Sequence, residues 1–336
     1  MPYPISDHYD GAHFFNPEPT HRSGGGKRRG FLSLLRARWR NDAGWATWPK
    51  RVGNASYPPP GPPPTVTFIG HSSFLLRMPG LTLLTDPVFS RRCSPSQWVG
   101  PKRVRDPGLR LDELPNIDLI LLSHNHYDHM DLRALRRLRQ RFPDAAIVTT
   151  LGNAAFLARK GLHGAVELDW WQNVALGSTI ITATPARHFA ARTLWDRNET
   201  LWAGFMIQVG GTRVYFAGDT GYTKFFAEIN ARLGAPDLAL LPIGAYEPRW
   251  FMGPVHMNPA DAVLAFQDLQ ARRAVGMHYG TFQLTAEEID APQRDLAVAL
   301  HAAGIDRESF VALDAGESLD LAEVGKEERL LFVNKK

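Results

Sequence analysis

The hexapeptide His124-Asn125-His126-Tyr127-Asp128-His129 puts three imidazoles and a carboxylate within six residues, one residue after the apolar run Ile117-Asp118-Leu119-Ile120-Leu121-Leu122. Neutral imidazole and ionised carboxylate are the ligands that borderline divalent cations such as Zn²⁺ prefer. Crowded at the end of a buried strand without a cation, four such groups would repel one another or demand hydrogen bonds. Four further residues of the same chemistry sit at the ends of strand-like runs: Asp86 after Leu81–Thr85, His188 after Thr179–Thr184, Asp219 after Arg213–Ala217, and His278 closing Ala274–His278. Any one of them alone reads as a hydrogen-bonded histidine or a turn-forming aspartate. Together with the hexapeptide they read as a metal site, because loops at one edge of a layered fold gather there to build sites.

The set divides sensibly. His124, His126 and His188 suit one metal, and Asp128, His129 and His278 a second, while the two carboxylate oxygens of Asp219 can bridge the pair. Two divalent cations about 3.5–4 Å apart lower the pKa of a bridging water and present hydroxide near neutral pH. Asp86 has no free place in either set and is expected to hydrogen-bond a ligand histidine or a loop amide. His71, in Gly70-His71-Ser72-Ser73, is expected to make a structural hydrogen bond to the metal loops. Cys93 is the single cysteine, so a Cys-rich metal site and an internal disulfide are both excluded.

Strand-period runs must position these groups. They are read at 65–69, 73–78, 81–85, 117–122 and 146–149, then at 179–184, 203–209, 213–217, 238–242 and 274–278. Helices are expected at 131–141, 223–233, 259–270 and 285–302. Two successive sets of strands with helices between them suggest an α/β architecture of two sheets packed face to face, helices outside.

Residues 1–64 differ from the rest and end in the tract Tyr57-Pro58-Pro59-Pro60-Gly61-Pro62-Pro63-Pro64, which must be extended because proline fixes φ and removes a donor. They are read as an N-terminal extension, followed by a domain at 65–320 that carries the candidate metal site and a charged tail at 321–336. Residues 26–40 form a basic segment that, as a helix, carries Phe31, Leu32, Leu35 and Trp39 on one face. It reads either as a helix docked on the body or as an interfacial helix for anionic lipid. With 336 residues, 44% hydrophobic and 21% charged, the chain can bury a sizeable core. Its net charge of +4 is mild and suits an anionic substrate or surface without requiring one. There is no run of about 18 apolar residues and no signal-peptide pattern at the start, so a cytoplasmic protein is expected, with peripheral association at the inner membrane face as an extension of that reading.

The motif H-x-H-x-D-H followed by the spaced His, Asp and His resembles that of the metallo-β-lactamase superfamily. The stretches GHSSFLL (70–76), LLTDPVFSRRCSPSQWVGPKR (83–103), TPARHFAARTLWDRNETLWAGF (184–205), LLPIGAYEPRWFMGPVHMNPADAV (240–263) and MHYGTF (277–282) are similar to those of its N-acylphosphatidylethanolamine-hydrolysing phospholipase D branch. The resemblance implies an αββα sandwich of two mixed sheets and two Zn²⁺ per chain. It also implies hydrolysis of a phospholipid phosphodiester to phosphatidic acid and an N-acylethanolamine. It carries the seven ligands over to His124, His126, Asp128, His129, His188, Asp219 and His278, and substrate contacts to Tyr127 and His256. On this reading Asp128, Asp219 and His256 are the catalytic groups, with His256 as general acid on the strength of an ordinary histidine pKa. Arg249 is expected to meet the phosphate, with Trp250 shaping the entrance. The expected partners are a phospholipid or another phosphodiester, a membrane surface and a second copy of the chain. No nucleic acid is expected, since no dense basic stripe with interleaved aromatics is present. A hydrolase of the same fold acting on a lactone or a small phosphodiester is the main alternative. A lipid-binding protein without activity is a weaker one.

Overall fold

The computed structural model describes residues 3–17, 44–59 and 61–321. The basic segment at 26–40 and nearly all of the charged tail lie outside the described residues.

The apolar runs become strands buried on both faces. In the first sheet β1 (Thr65–Gly70), β2 (Ser73–Met78) and β3 (Leu81–Thr85) form a meander, followed by β4 (Leu119–Leu121), β5 (Ala146–Thr150) and β6 (Ala165–Leu168). With β14 (Ser318–Asp320) at its edge, this sheet has the order β14-β1-β2-β3-β4-β5-β6. The second contains β7 (Asn173–Leu176), β8 (Thr179–Thr184), β9 (Gly204–Val209), β10 (Thr212–Phe216), β11 (Leu238–Pro242), β12 (Arg273–Met277) and β13 (Phe310–Val311), in the order β13-β12-β11-β10-β9-β8-β7. Alternation within each strand separates the two faces. Phe74, Leu76, Leu83, Leu119 and Leu121 join the core shared with the second sheet. Their neighbours Leu75, Leu84, Ile120 and Leu122 join another apolar layer, shared with Leu135 and Leu138 of helix α1 (Leu132–Arg141). Burial on both faces is what a continuous apolar run implies. The expected αββα sandwich is the observed fold.

Helix starts are fixed by side chains. Asp131 caps α1 by accepting from the amides of Arg133 and Ala134, and it also accepts from the amides of Phe89 and Ser90. One carboxylate therefore ties the loop after β3 to the loop that carries the hexapeptide. After the short α2 (Asn153–Ala158), α3 (Phe225–Leu233) and α4 (Arg249–Met252) comes α5 (Pro259–Leu269). It starts with a capping box between Asn258 and Asp261, with proline in the first turn. The last helix, α6 (Ala291–Ala303), begins six residues later than expected. Glu287 is engaged elsewhere: its Oε1 accepts from Ala245 N, Tyr246 N and Thr285 Oγ1.

The described residues before the proline-rich tract pack on the body. Tyr9 and Phe14 are buried in the main core. His8 stacks on Trp170 at 4.3 Å and bonds Asp169 at 2.7 Å, and Trp48 Nε1 donates to the Glu287 carbonyl. Among the described residues no helix is long and apolar enough to cross a membrane.

Candidate metal centre

Parallel pairing brings the C-terminal ends of β3 and β4 to one edge of the first sheet, and those of β10, β11 and β12 to one edge of the second. The loops leaving these ends, with the β1–β2 turn and the loop after β8, carry every expected ligand. Three of the residues at strand ends hold left-handed backbone, His71 at φ 59°, Asp86 at φ 32° and His278 at φ 65°. Such angles are costly for side chains with a Cβ, and they concentrate where geometry serves a site.

The side chains converge as two groups that meet at Asp219. His124, His126, His188 and Asp219 offer ligand atoms all within 4.8 Å of one another, and so do His71, Asp128, His129 and His278. Asp219 Oδ2 lies 3.0 Å from the Nε2 atoms of both His129 and His278, and 3.9 and 3.7 Å from those of His124 and His188. His124, His129, His188, His278 and Asp219 are buried, while His126, Tyr127 and Asp128 are half-buried and form the side open to solvent.

Hydrogen bonds behind the site fix the tautomers. Ser123 Oγ donates to Asp86 Oδ2 at 2.5 Å, so toward His124 Nδ1, 2.9 Å away, it can only accept. His124 therefore carries its proton on Nδ1. His188 Nδ1 lies 3.0 Å from the Val255 carbonyl and must donate to it. His129 Nδ1 donates to Asp86 Oδ2 at 2.6 Å. In all three rings the Nε2 lone pair is thereby turned inward. His124 Nε2 and His188 Nε2 close on His126 Nδ1 at 2.9 and 3.3 Å, and His129 Nε2 faces the Asp219 carboxylate. Lone pairs and carboxylate oxygens aimed at one point repel unless a cation lies among them. Buried Asp219 Oδ1 and His278 Nδ1 lack hydrogen-bond partners among the described residues, and the Nε2 atoms of His129 and His278 face Asp219 Oδ2 at 3.0 Å without a well-directed hydrogen bond. Such atoms are costly to bury unsatisfied, and the donor set fits divalent cations.

The electrostatics agree. Burial, with the charge of neighbouring imidazoles, holds His124 and His188 well below the ordinary histidine value, and burial brings His126 down to about 4. All three stay neutral, the form that binds metal. His129 and His278 move the other way. Burial opposes their charge, but Asp219 and its neighbour Asp128 outweigh it, raising His129 well above its usual value and His278 to about 9. The two carboxylates thus draw in positive charge, which protons or metal ions can supply.

The expected supporting residues fall into place with differences. Asp86 accepts from Ser123 N, Ser123 Oγ and His129 Nδ1, behind both groups of side chains. His71 Nε2 meets Asp128 Oδ2 at 3.0 Å. His256 stands beside the centre, its ring 5.0 Å from that of His188 and 5.2 Å from that of His278. Its expected titration near neutrality requires correction: burial lowers its pKa to about 3, so the ring is neutral at physiological pH. Arg249, expected at the phosphate, instead bonds Asp261 Oδ2 at 2.6 Å and the His256 carbonyl at 3.0 Å. These contacts tie the His256 segment to the start of α5. Two residues escaped the sequence reading: Ser123, whose hydroxyl links Asp86 to His124, and Arg192, whose guanidinium lies 3.9 Å from the centre of the Tyr127 ring. A serine before a histidine carries no signal of its own, and Arg192 was visible only as part of a longer string.

Residues 82–279 match a family model described as a beta-lactamase superfamily domain. The chain is 38% identical over 263 residues to N-acyl-phosphatidylethanolamine-hydrolyzing phospholipase D 1 of Caenorhabditis elegans, covering 75% of this chain and 74% of that one. It is 38% identical over 237 residues to the mitochondrial N-acyl-phosphatidylethanolamine-hydrolyzing phospholipase D of Saccharomyces cerevisiae, covering 68% of this chain and 50% of the yeast protein. Among solved structures, a metallo hydrolase of Ignicoccus hospitalis matches with a TM-score of 0.57 at 24% identity, over 76% of this chain and 97% of that one. This last likeness concerns the fold.

Proposed function

Because the chain belongs to the beta-lactamase superfamily, we propose that its site is a binuclear zinc centre hydrolysing a phospholipid phosphodiester, in the manner of a phospholipase D. One observation carries the reading: three imidazoles held by rear hydrogen bonds with Nε2 inward, around a carboxylate with an unpartnered oxygen. His124, His126 and His188 would hold one ion, Asp128, His129 and His278 the other, with Asp219 shared. When bound, such a pair supplies Lewis-acid polarisation of a phosphoryl group and a water acidic enough to attack it near neutral pH.

The remaining chemistry belongs to the chain's own side chains. Asp86 keeps His129 and, through Ser123, His124 in the tautomer that turns Nε2 inward. Neutral His256 can donate one N–H to the phosphate or to the departing oxygen. Its Nδ1 is buried without a partner among the described residues, which leaves a ring nitrogen for that task. Half-buried Tyr127 stands on the open side, where its phenol can meet a bound phosphate. Preorganised donors of this kind act without reorganising during reaction.

A lipid substrate is supported by the curated relatives and by the surface. Leu194 and Trp195 are 89% and 87% exposed, in the loop that also carries Arg192 beside Tyr127. Trp250, 41% exposed, adjoins Arg249, which bonds the His256 carbonyl. Tryptophan is favoured at a membrane–water boundary. Metal-loaded protein offered N-acylphosphatidylethanolamine, a lactone and bis(p-nitrophenyl) phosphate side by side tests the assignment. Turnover of the phospholipid is expected, and activity confined to the lactone would overturn it.

A further inference from the structure

Arg192 is a half-buried cation with an unusual set of partners. Its Nη1 donates to the carbonyls of Asn125 at 2.6 Å and Met130 at 2.9 Å. These two residues bracket His126-Tyr127-Asp128-His129. The Cζ of the same guanidinium lies over the Tyr127 ring, 3.9 Å from its centre, and 5.3 Å from that of Phe156. One guanidinium nitrogen thus ties both ends of the loop while the same group covers its one aromatic side chain; a lysine ammonium could reach the two carbonyls but brings no planar group to the ring.

The backbone that presents Arg192 is itself secured. Asp196 Oδ1 accepts from the amides of Arg192 at 2.9 Å and Thr193 at 2.7 Å. Asn198 N donates to the Ala190 carbonyl, and the Asn198 carbonyl accepts from Phe14 N at 2.8 Å. Phe14 is buried in the main core. The chain of contacts therefore runs from the core through the Arg192-Thr193-Leu194-Trp195-Asp196-Arg197-Asn198 turn to the ends of the hexapeptide. No metal-ligating atom takes part in it.

We propose that Arg192 is a positioning residue, one that sets where the Tyr127 phenol stands over the site by clamping Asn125 and Met130 and covering the ring face. It touches neither the expected ligand atoms nor, on this reading, the reacting group; it acts through Tyr127. The proposal rests on the hydrolase reading above only for its kinetic consequence. Two side-chain roles are thereby separable: the imidazoles and carboxylates hold metal, and Arg192 holds the substrate contact in register with them.

Two readouts on the full chain test this. Hydrogen exchange on the metal-free and zinc-loaded proteins compares wild type with Arg192→Gln and Arg192→Lys. At least about tenfold faster exchange confined to the 124–130 amides is expected for the glutamine variant, since opening rates follow the local hydrogen bonds that are lost. A smaller change is expected for lysine. Unchanged exchange in that loop would overturn the clamp, whether or not the wild type turns over any substrate. The second readout is a kinetic double-mutant cycle with Tyr127→Phe. Arg192→Gln is expected to lower kcat about tenfold or more with zinc content unchanged, and to add less than about twofold once Tyr127 is Phe. Additive losses in the cycle, or loss of zinc from Arg192→Gln, would instead assign Arg192 a general structural role and refute the proposal. Absence of any wild-type hydrolysis would fall on the hydrolase reading alone, and the exchange result would still decide the clamp.

Discussion

His129 Nδ1 lies 2.6 Å from Asp86 Oδ2, and both residues are completely buried. The contact joins the end of β3 to the hexapeptide across the sheet edge. It fixes which nitrogen of His129 faces the centre. Ser123 extends the arrangement, its amide and hydroxyl both donating to the same carboxylate. Replacing Asp86 with Asn keeps the shape and suits the positive φ of 32°, but it removes the charge and offers an N–H where an acceptor is needed. Zinc affinity is expected to fall about 10–100-fold with the fold intact. Chelator competition beside circular dichroism checks this, and an unchanged affinity would show that Asp86 does not set the His129 tautomer.

Gly218 holds a second constraint. Its φ is 59°, and a Cβ there would come 2.8 Å from Ser123 Cβ and 2.9 Å from the Ala203 carbonyl. Ala203 N in turn donates to the Ser123 carbonyl, so neither neighbour can withdraw freely. Gly218→Ala should destabilise the protein by about 1–3 kcal/mol through overpacking and displace the adjacent Asp219. Urea unfolding together with zinc content reads both effects. Wild-type stability and occupancy would contradict the packing described.

The amino-terminal segment should detach with pH. Burial opposes the charge on His8, but hydrogen bonds to Asp169 and Asp7 outweigh it and raise its pKa above the ordinary 6.5. A histidine whose folded pKa is raised contributes stability that is fully present below the unfolded value and is lost as pH rises through the folded one. The stability difference between wild type and His8→Gln should therefore be greatest below about pH 6.5 and shrink above it. Thermal unfolding from pH 5 to 9 measures this, and a difference that grows with pH would contradict the ion-pair account.

Lipid and soluble substrates should respond differently to the exposed apolar loop. Leu194→Ser with Trp195→Ser is expected to lower binding to anionic vesicles by about tenfold or more, tenfold being the loss if the two apolar side chains are only partly buried at the interface. Hydrolysis of bis(p-nitrophenyl) phosphate should be unaffected. Cosedimentation and a chromogenic assay on one preparation separate the two. Equal loss in both would place these residues in the site itself.

The strands that position the centre were legible because they are apolar and largely buried: Leu238–Pro242, buried throughout, and Thr179–Thr184, buried at all but Ile180, have the bounds that their sequences suggest. The short strands Ala165–Leu168 and Asn173–Leu176 were not, since each has four residues and a half-exposed, mixed pattern. Nor was the burial of Tyr9 and Phe14, which lie in a segment without periodicity whose partners are more than 150 residues distant, as with His8 and Asp169. At the site, residue type and position revealed the histidines and aspartates. Roles that depend on surroundings were hidden. Arg249 turned to Asp261, burial neutralised His256, and Arg192 found the hexapeptide only through the fold.

The origin of the oxygen in the product tests the central claim most directly. Zinc-loaded protein is incubated with N-acylphosphatidylethanolamine in H₂¹⁸O, and both products are analysed by mass spectrometry. Attack of water on phosphorus with departure of the N-acylethanolamine oxygen places one ¹⁸O in phosphatidic acid and none in the alcohol. Label in the N-acylethanolamine, or no cleavage by protein carrying two zinc ions, would contradict hydrolysis at phosphorus by this site.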